Sequence, residues 1–191
     1  MKTDVLEVNN RWNKIRFAAL VTVGKDSPAV EPSDDWKRRM LLSEHSPIRL
    51  LTVSWLWEKL PYWVSVHFVR HNIGITHFVK SQREDRNPDV DSRDEEFQSA
   101  PVNHFCEANA QSIINISRKR LCSNASKETR DAWQDFIFEL EELEPSLFEV
   151  LVPDCIYRGW CYEMKSCGYH LTEDYKRELD LYRSNINGWS V

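Results

Sequence analysis

Residues 109–120 read Asn-Ala-Gln-Ser-Ile-Ile-Asn-Ile-Ser-Arg-Lys-Arg, without glycine or proline. Both residue types remain absent over the whole of residues 107–142, and Pro145 follows shortly afterwards. Because glycine and proline are the residues least compatible with a helix interior, we predict a helix over residues 107–142 that ends before Pro145. A break near Ser123 and Asn124 could divide it in two.

Polar side chains form two stripes on this predicted helix. At 100° per residue the stripes lie about 160° apart. The first consists of Asn109, Ile113, Ile116 and Arg120, and the second of Gln111, Asn115, Arg118 and Cys122. Amides among apolar residues need hydrogen-bond partners, which a planar heterocycle would supply. A solvated polar face with ordinary capping is the simpler alternative, because such faces are common.

The same helix becomes basic towards its middle. Five cations accompany the single acid Glu128 within residues 118–130, although the whole chain carries a net charge of -5. The cations are Arg118, Lys119, Arg120, Lys127 and Arg130. A local excess of Arg predicts an anion site, since the guanidinium forks match phosphate. The overall acidity argues against nucleic acid as the partner.

A second basic motif precedes the helix. Eight residues separate the motif Arg70, His71 and Asn72 from Ser81, Gln82 and Arg83. Two Arg, a hydroxyl and an imidazole could together bind a phosphate and a ring carbonyl. A lone His beside an Arg is more often structural, so this motif carries weight only together with the helix.

The rest of the chain suggests a single domain of residues 1–191. Residues 15–23 are either a strand or a helix, because a short apolar run does not distinguish the two. Residues 49–57 are rich in β-branched and aromatic side chains and predict a strand. Helices are predicted over residues 36–42, capped by the Ser-Asp-Asp at 33–35, and over residues 62–70 and 172–182, and residues 82–99 predict an exposed polar loop.

The chain contains no run of eighteen apolar residues and no apolar signal segment at its start. We therefore expect a cytoplasmic protein that does not interact with membranes. Cys155, Cys161 and Cys167 recur every six residues in a region of about 150–191, with His170 close behind. Zinc ribbons use pairs two to four residues apart, so reduced, packed cysteines are favoured over a metal site.

Four segments, in this order, resemble the landmarks of flavin-dependent thymidylate synthases. They are Ser-Glu-His-Ser-Pro-Ile-Arg at 43–49, Phe-Val-Arg-His-Asn at 68–72, Ser-Gln-Arg at 81–83 and Asn-Ala-Gln-Ser-Ile-Ile-Asn at 109–115. The last matches the family's helix motif without a gap, and Arg120, Glu128 and Arg130 fall on family positions. The resemblance covers about residues 40–135.

This resemblance implies an α+β fold in which a small mixed or antiparallel sheet packs against long helices. It implies the reductive methylation of dUMP to dTMP with FAD as cofactor, methylenetetrahydrofolate and NADPH as cosubstrates, and a homotetramer with shared active sites. Arg120 would bind the uracil face and stabilise negative charge there, and is the residue expected to be catalytic.

The resemblance also assigns the remaining ligand contacts. Those to the nucleotide come from His67, Arg70, Ser81, Gln82 and Arg83. Those to the flavin come from Ser46, Thr52, Arg70, His71, Asn72, Asn109, Gln111 and Asn115.

The chain departs from the family at several of these positions. Asn72 and Gln111 each replace an Arg, His67 stands where the family has Gln, and the loop before Ser81 is one residue longer. Each lost Arg would weaken binding by about 1.5–3 kcal/mol if nothing compensates. Two alternatives therefore stand beside thymidylate synthesis: flavin-dependent modification of another pyrimidine nucleotide, and a non-catalytic nucleotide-binding or interaction protein of the same fold.

Overall fold

The computed structural model describes residues 1–26, 30–86 and 96–187. Its centre is a four-stranded antiparallel sheet in the order β1-β2-β4-β3. The strands are β1 (Lys2–Asn9), β2 (Thr52–Pro61), β3 (Ile75–Val79) and β4 (Pro101–Asn109). The helices are α1 (Trp12–Val21), α2 (Asp34–Leu42), α3 (Tyr62–Val69), α4 (Ala110–Arg120), α5 (Lys127–Leu143), α6 (Pro145–Phe148), α7 (Asp154–Arg158) and α8 (Glu173–Asn187). This architecture confirms the predicted α+β class.

One face of the sheet is covered by α3 and α5, and the core between them is aromatic. Along β4 every second residue is buried, the period of a strand with one face covered. Trp55 and Trp57 of β2 meet Trp133 and Phe136 of α5, and Phe68 of α3 stacks on Trp57 at 4.4 Å between ring centroids. All five side chains are at most 1% exposed. This core holds the ends of α3 and α4 in place.

The structure decides residues 15–23, for which the sequence left strand and helix open: they belong mainly to helix α1. Several local predictions are confirmed. Helix α2 is capped by Ser33, whose hydroxyl accepts from the Trp36 amide. The helices at 62–70 and 172–182 correspond to α3 and α8, and the strand at 49–57 corresponds to β2, shifted towards the C-terminus. The sequence pattern does not predict strand β1.

The long helix predicted over residues 107–142 is wrong at its start. Residues 107–109 belong to β4, where Glu107 pairs with Ser54 and Asn109 with Thr52. Helix α4 begins at Ala110, and residues 121–126 separate it from α5. Sheet pairing outweighs the helix propensity of this short segment, because neighbouring strands satisfy its backbone groups.

The C-terminal part packs as a smaller cluster beside the main core. Ile156 of α7 is buried with Tyr175, Leu179 and Tyr182 of α8. Among the described residues, no helix combines the length and apolar character needed to cross a bilayer.

Candidate active site

Helix α4 begins where β4 ends, and Asn109 makes the junction. Its side-chain oxygen accepts a hydrogen bond from the Ser112 amide at 3.0 Å, the usual role of an N-cap residue. The backbone amide of Asn109 donates to the carbonyl of Gly74 at 2.9 Å, and the Ser112 hydroxyl donates to the carbonyl of Ile73. The turn before β3 is thereby bonded to the start of α4.

Gly74 is the residue that permits this close approach. Its φ is +69°, and a Cβ at this position would lie 2.5 Å from Asn109 Nδ2 and 2.6 Å from Ser112 Oγ. We expect Gly74→Ala to lower the free energy of unfolding, measured by urea denaturation, by more than the ~1–2 kcal/mol that a left-handed non-glycine residue costs by itself.

Gly24→Ala is the matched control, because Gly24 has a φ of +67° and no described residue lies within 4 Å of its Cβ position. The two substitutions share the backbone strain and differ in the clash. Equal losses of stability would contradict the proposed packing between Gly74 and the N-cap of α4.

At the other end of α4, Arg120 is held in one orientation by α3. Its Nε donates to His71 Nε2 at 3.0 Å, and its Nη2 donates to the carbonyl of His67 at 2.6 Å. These two bonds leave the Nη1 donors for a ligand. Because His71 Nε2 accepts, its proton is on Nδ1, which can donate to a bound molecule.

His67 is fixed in turn by helix α5. Its Nδ1 lies 2.9 Å from the hydroxyl of the buried Thr129, which also contacts the hydroxyl of Ser126 at 2.8 Å. Trp63 packs edge-on against its ring. Three helices therefore position the carbonyl and imidazole groups around Arg120.

A cavity of about 350 Å³ opens beside this arrangement. Its polar lining includes Arg70, His71, Lys119, Arg120, Asn124 and Glu163. Within the part of the chain that the structure describes, neither Arg70 nor Arg120 forms an ion pair with a carboxylate. The lining therefore carries positive charge that an anionic ligand would neutralise.

Burial, with a smaller contribution from neighbouring positive charges, lowers the pKa of three groups at this site. Burial, followed by the charges of Arg120, His77 and Arg70, lowers the pKa of His71 to about 4. Burial and then Arg70 lower the pKa of Arg120, and burial with both arginines lowers the pKa of His67. Near neutral pH both histidines are uncharged, so they act as hydrogen-bonding groups.

Gln111 and Arg118 are turned away from this cavity and towards Glu44. Gln111 Nε2 donates to the Glu44 carboxylate at 2.5 Å, and the Arg118 guanidinium forms an ion pair with it. Arg118 also lies over the ring of Tyr157, 3.5 Å from its centroid. In this conformation two members of the second stripe of α4, Gln111 and Arg118, are occupied by contacts within the protein.

Glu44 has an unusual backbone conformation for a charged residue. It follows the end of α2 with a φ of +50°, and its amide bonds to the carbonyl of Leu41 while that of His45 bonds to Met40. This is the Schellman pattern, in which glycine usually occupies the left-handed position. Glu44 accepts that strain and gains two side-chain partners on α4.

We expect Glu44→Gln to weaken the acid sensitivity of folding. Burial raises the pKa of Glu44, but the bonds from Arg118 and Gln111 outweigh it and lower the pKa below 4.5. The stabilisation is therefore complete above the unfolded pKa and is lost as the pH falls through the folded one. Urea unfolding between pH 7 and pH 3 should show a flatter profile for the variant, with about 1–3 kcal/mol lost at pH 7.

Asp131→Asn is the control, because its ion pair with Lys127 is between side chains 40% and 75% exposed. Exposed pairs contribute little, so a change below about 0.5 kcal/mol is expected. A Glu44→Gln profile that parallels the parent protein at every pH would contradict the assignment.

Other residues assigned by resemblance lie outside the Arg120 cavity. Thr52 and Asn109 line a smaller cavity of about 280 Å³ with Gly74 and Arg49. Three further residues, Ser46, Asn72 and Asn115, are exposed.

Residues 81–83 follow β3. Arg83 forms an ion pair with Asp85 at 2.8 Å, and the Arg83 amide donates to the hydroxyl of Ser81. Gln82 is partly buried in the same segment. Neither cavity lining includes these residues. The predicted polar loop at 82–99 lies partly outside the described residues, which resume at 96.

A cavity of about 430 Å³ lies in the C-terminal part. Four of the five cysteines line it, namely Cys122, Cys155, Cys161 and Cys167. The sequence spacing related only the last three, because Cys122 enters from the end of α4. No short-range pattern relates Glu44 or Glu163 to its partners either, because those partners are distant in sequence.

No family description and no curated protein sequence matches this chain, but solved structures do. Two structures of ThyX, a flavin-dependent thymidylate synthase from Helicobacter pylori complexed with FAD and dUMP, match with TM-scores of 0.63 and 0.62. Their identities are 14% and 15%, covering 80% and 78% of this chain and 100% and 98% of theirs. PolB, a UMP/dUMP methylase from Streptomyces cacaoi bound with 5-Br dUMP, matches with a TM-score of 0.61 at 13% identity, covering 78% and 93%.

The chain therefore has the fold of the flavin-dependent thymidylate synthases. This confirms, at the level of the fold, the resemblance based on the four sequence segments. The structural match extends well beyond residues 40–135, since it includes about four-fifths of the chain.

Proposed function

We propose that this chain is a flavin-dependent methyltransferase that converts dUMP to dTMP, with methylenetetrahydrofolate and NADPH as cosubstrates. The observation that carries the proposal is Arg120, fixed by His71 and His67 at the wall of a positively charged cavity. It occupies the position of the uracil-binding Arg in the helix motif. The two ThyX structures, which contain dUMP, support the same ligand class.

The proposed role of Arg120 is electrostatic. Two of its donor directions are already taken, so the guanidinium does not need to reorganise when a ligand arrives. Its free Nη1 group would face a carbonyl oxygen of the pyrimidine and stabilise negative charge developing on the ring. Arg70 would attract the anionic ligand into the cavity, whereas Lys119 is already paired with Asp154 and Glu163.

The residues present fit a flavin at several positions. Arg70 and His71, with Asn72 beside them, would contact its phosphates or ring. Thr52 and Asn109 would meet it at the junction of sheet and helix. FAD, when bound, would supply the hydride, while the chain would orient the reactants. Gln111 could join only after its bond to Glu44 is broken, and Ser46 and Asn115 are exposed enough to reach a ligand.

A homotetramer with shared sites would explain why the assigned residues lie apart. Ser81, Gln82 and Arg83 do not line the Arg120 cavity within one chain. In the proposed assembly they would bind the nucleotide phosphate in a site completed by another copy. Such sharing would also cover the exposed residues at the flavin end.

The purified protein should therefore be yellow or become yellow with FAD, and it should oxidise NADPH faster when dUMP is added. Measuring the spectrum and the NADPH oxidation rate with and without dUMP tests both points. A colourless protein that cannot be reconstituted with FAD would rule out the proposal.

A second candidate is methylation of another pyrimidine nucleotide. It is favoured by His67, which stands in place of a Gln, and by the likeness to a UMP/dUMP methylase. Competition among dUMP, UMP and dCMP in the same assay separates the two candidates. Nucleotide binding without any FAD binding would instead indicate a non-catalytic protein.

A further inference from the structure

A second group of reactive side chains lies within the sheet, behind His71. His77 on β3 is paired directly with Cys106 on β4, and His104 precedes Cys106 by two residues. Side chains alternate along a strand and align across a pair, so these three share one face. Their potential ligand atoms all lie within 4.8 Å of one another. His104 and Cys106 are fully buried, and His77 is partly buried.

The hydrogen bonds of His77 indicate which of its ring nitrogens carries the proton. Its Nε2 lies 2.7 Å from the carbonyl oxygen of His71, to which only an N–H can donate. The neutral ring therefore has a bare Nδ1, which lies 2.9 Å from His104 Nε2 and 3.3 Å from Cys106 Sγ. A lone pair thus points into the centre of the group.

His104 is incompletely satisfied in this environment. Its Nδ1 is buried and, in the described part of the chain, has no hydrogen-bond partner. Buried polar networks normally satisfy every member, because an unpaired polar atom costs about 1–3 kcal/mol. The hydrogen bonds of the described residues therefore leave one atom of the group unpaired, and an ion bound through Nε2 would turn that atom into an N–H that needs an acceptor of its own.

We propose that His77, His104 and Cys106 bind one zinc ion. Two imidazole nitrogens and one thiolate are ligands that a borderline-soft ion such as Zn²⁺ prefers. With Zn–N bonds of about 2.0–2.1 Å and Zn–S bonds of about 2.3 Å, ligand atoms around a tetrahedral ion lie roughly 3.3–3.6 Å apart. The two distances from His77 Nδ1, to His104 Nε2 and to Cys106 Sγ, would have to open by about 0.2–0.5 Å to accept the ion.

Binding involves one proton leaving the protein. The thiol proton of Cys106 is released as the Zn–S bond forms, and the proton of His104 moves from Nε2 to Nδ1. Both imidazoles stay neutral and each gives one lone pair to the ion. A water molecule would take the fourth position, which is the usual arrangement with three protein ligands.

The bond from His77 to the His71 carbonyl matches what zinc-bound histidines require. Such residues usually donate their second ring N–H to a carbonyl or carboxylate, which fixes the ring. The ion would therefore connect β3, β4 and the backbone of His71, next to the Arg120 cavity. With three protein ligands and one open position it differs from the closed four-ligand sites of structural zinc. We assign it no reaction, and its binding does not depend on FAD or nucleotide.

Cobalt is the probe, because Co²⁺ occupies zinc sites and gives a thiolate charge-transfer band when sulfur is a ligand. The full chain, first treated with a chelator, should bind one equivalent of Co²⁺ with this band and lose it when Zn²⁺ is added. Cys106→Ala should abolish the band. His77→Gln should weaken Co²⁺ binding by about 100-fold or more, since losing an outer-shell partner alone costs 10–100-fold.

The matched control removes the other spaced thiols in one variant, Cys155→Ala, Cys161→Ala and Cys167→Ala. It should keep the band and the affinity. Failure of the parent protein to bind one equivalent, or loss of the band in this control instead of Cys106→Ala, would overturn the proposal. If Cys106→Ala does not fold, His77→Gln provides the test. An unchanged Co²⁺ affinity of His77→Gln would also overturn the proposal. None of these readouts requires enzyme activity, so they remain informative if the proposed function fails.

Discussion

Replacing Arg120 with Lys is expected to lower dUMP-dependent NADPH oxidation by on the order of 10²–10³-fold in kcat. Arg120 donates in two fixed directions, to His71 and to the His67 carbonyl, and keeps a third for the ligand. A lysine ammonium is a point charge on a flexible stem and cannot hold all three. The rate should be measured at saturating dUMP, with FAD content determined for each protein.

Arg177→Lys is the matched control, since Arg177 lies on α8 with its side chain 81% exposed. Its kcat should equal that of the parent protein. The urea midpoint of Arg120→Lys should also be recorded, to separate lost chemistry from lost folding. A correctly folded, FAD-loaded Arg120→Lys protein with the parent rate would remove Arg120 from the proposed mechanism.

Replacing Trp133 with Ala is expected to cause the largest loss of stability, about 3–5 kcal/mol. Its ring is fully buried among Trp55, Trp57, Phe68 and Phe136, and its Nε1 donates to the Ser117 hydroxyl at 3.0 Å. The substitution leaves a cavity between α5 and the sheet. For a chain of this size the melting temperature should fall by roughly 6–20 °C.

Phe138→Ala serves as the control on the same helix, because Phe138 is 58% exposed. Its effect should stay within about 0.5 kcal/mol. Trp133→Phe, which keeps most of the ring contacts, should fall between the two and remains measurable if Trp133→Ala does not fold. Similar losses for Trp133→Ala and Phe138→Ala would contradict the assigned core.

The sequence predicted local features of the fold well where one residue decides them. Ser33 before α2 has a side chain suited to capping. The prediction from the sequence failed at residues 107–109, because their pairing with Thr52 and Ser54 is set by a strand more than fifty residues away. Propensity over three residues is too weak to compete with such pairing.

In the candidate site, too, some contacts can be predicted from the sequence and others cannot. Arg120 and His71 could be related through the ordered motifs, and the structure brings them to 3.0 Å. Gln111 could not be judged in this way, because its partner Glu44 lies 67 positions earlier. The group of His77, His104 and Cys106 also depends on pairing between β3 and β4, which no short-range pattern contains.

By itself, the sequence determined the positions of helices such as α2, α3 and α8, which depend on interactions within a few turns of chain. The resemblance of its ordered motifs to a known family implied the α+β class and related Arg70, His71 and Arg120 to one site. Only the tertiary structure decided that Arg120 is held by His71 and His67, that Glu44 holds Gln111, and that a second donor group lies in the sheet. The reason is that each of these contacts joins segments whose distance in space is set by packing of the whole core.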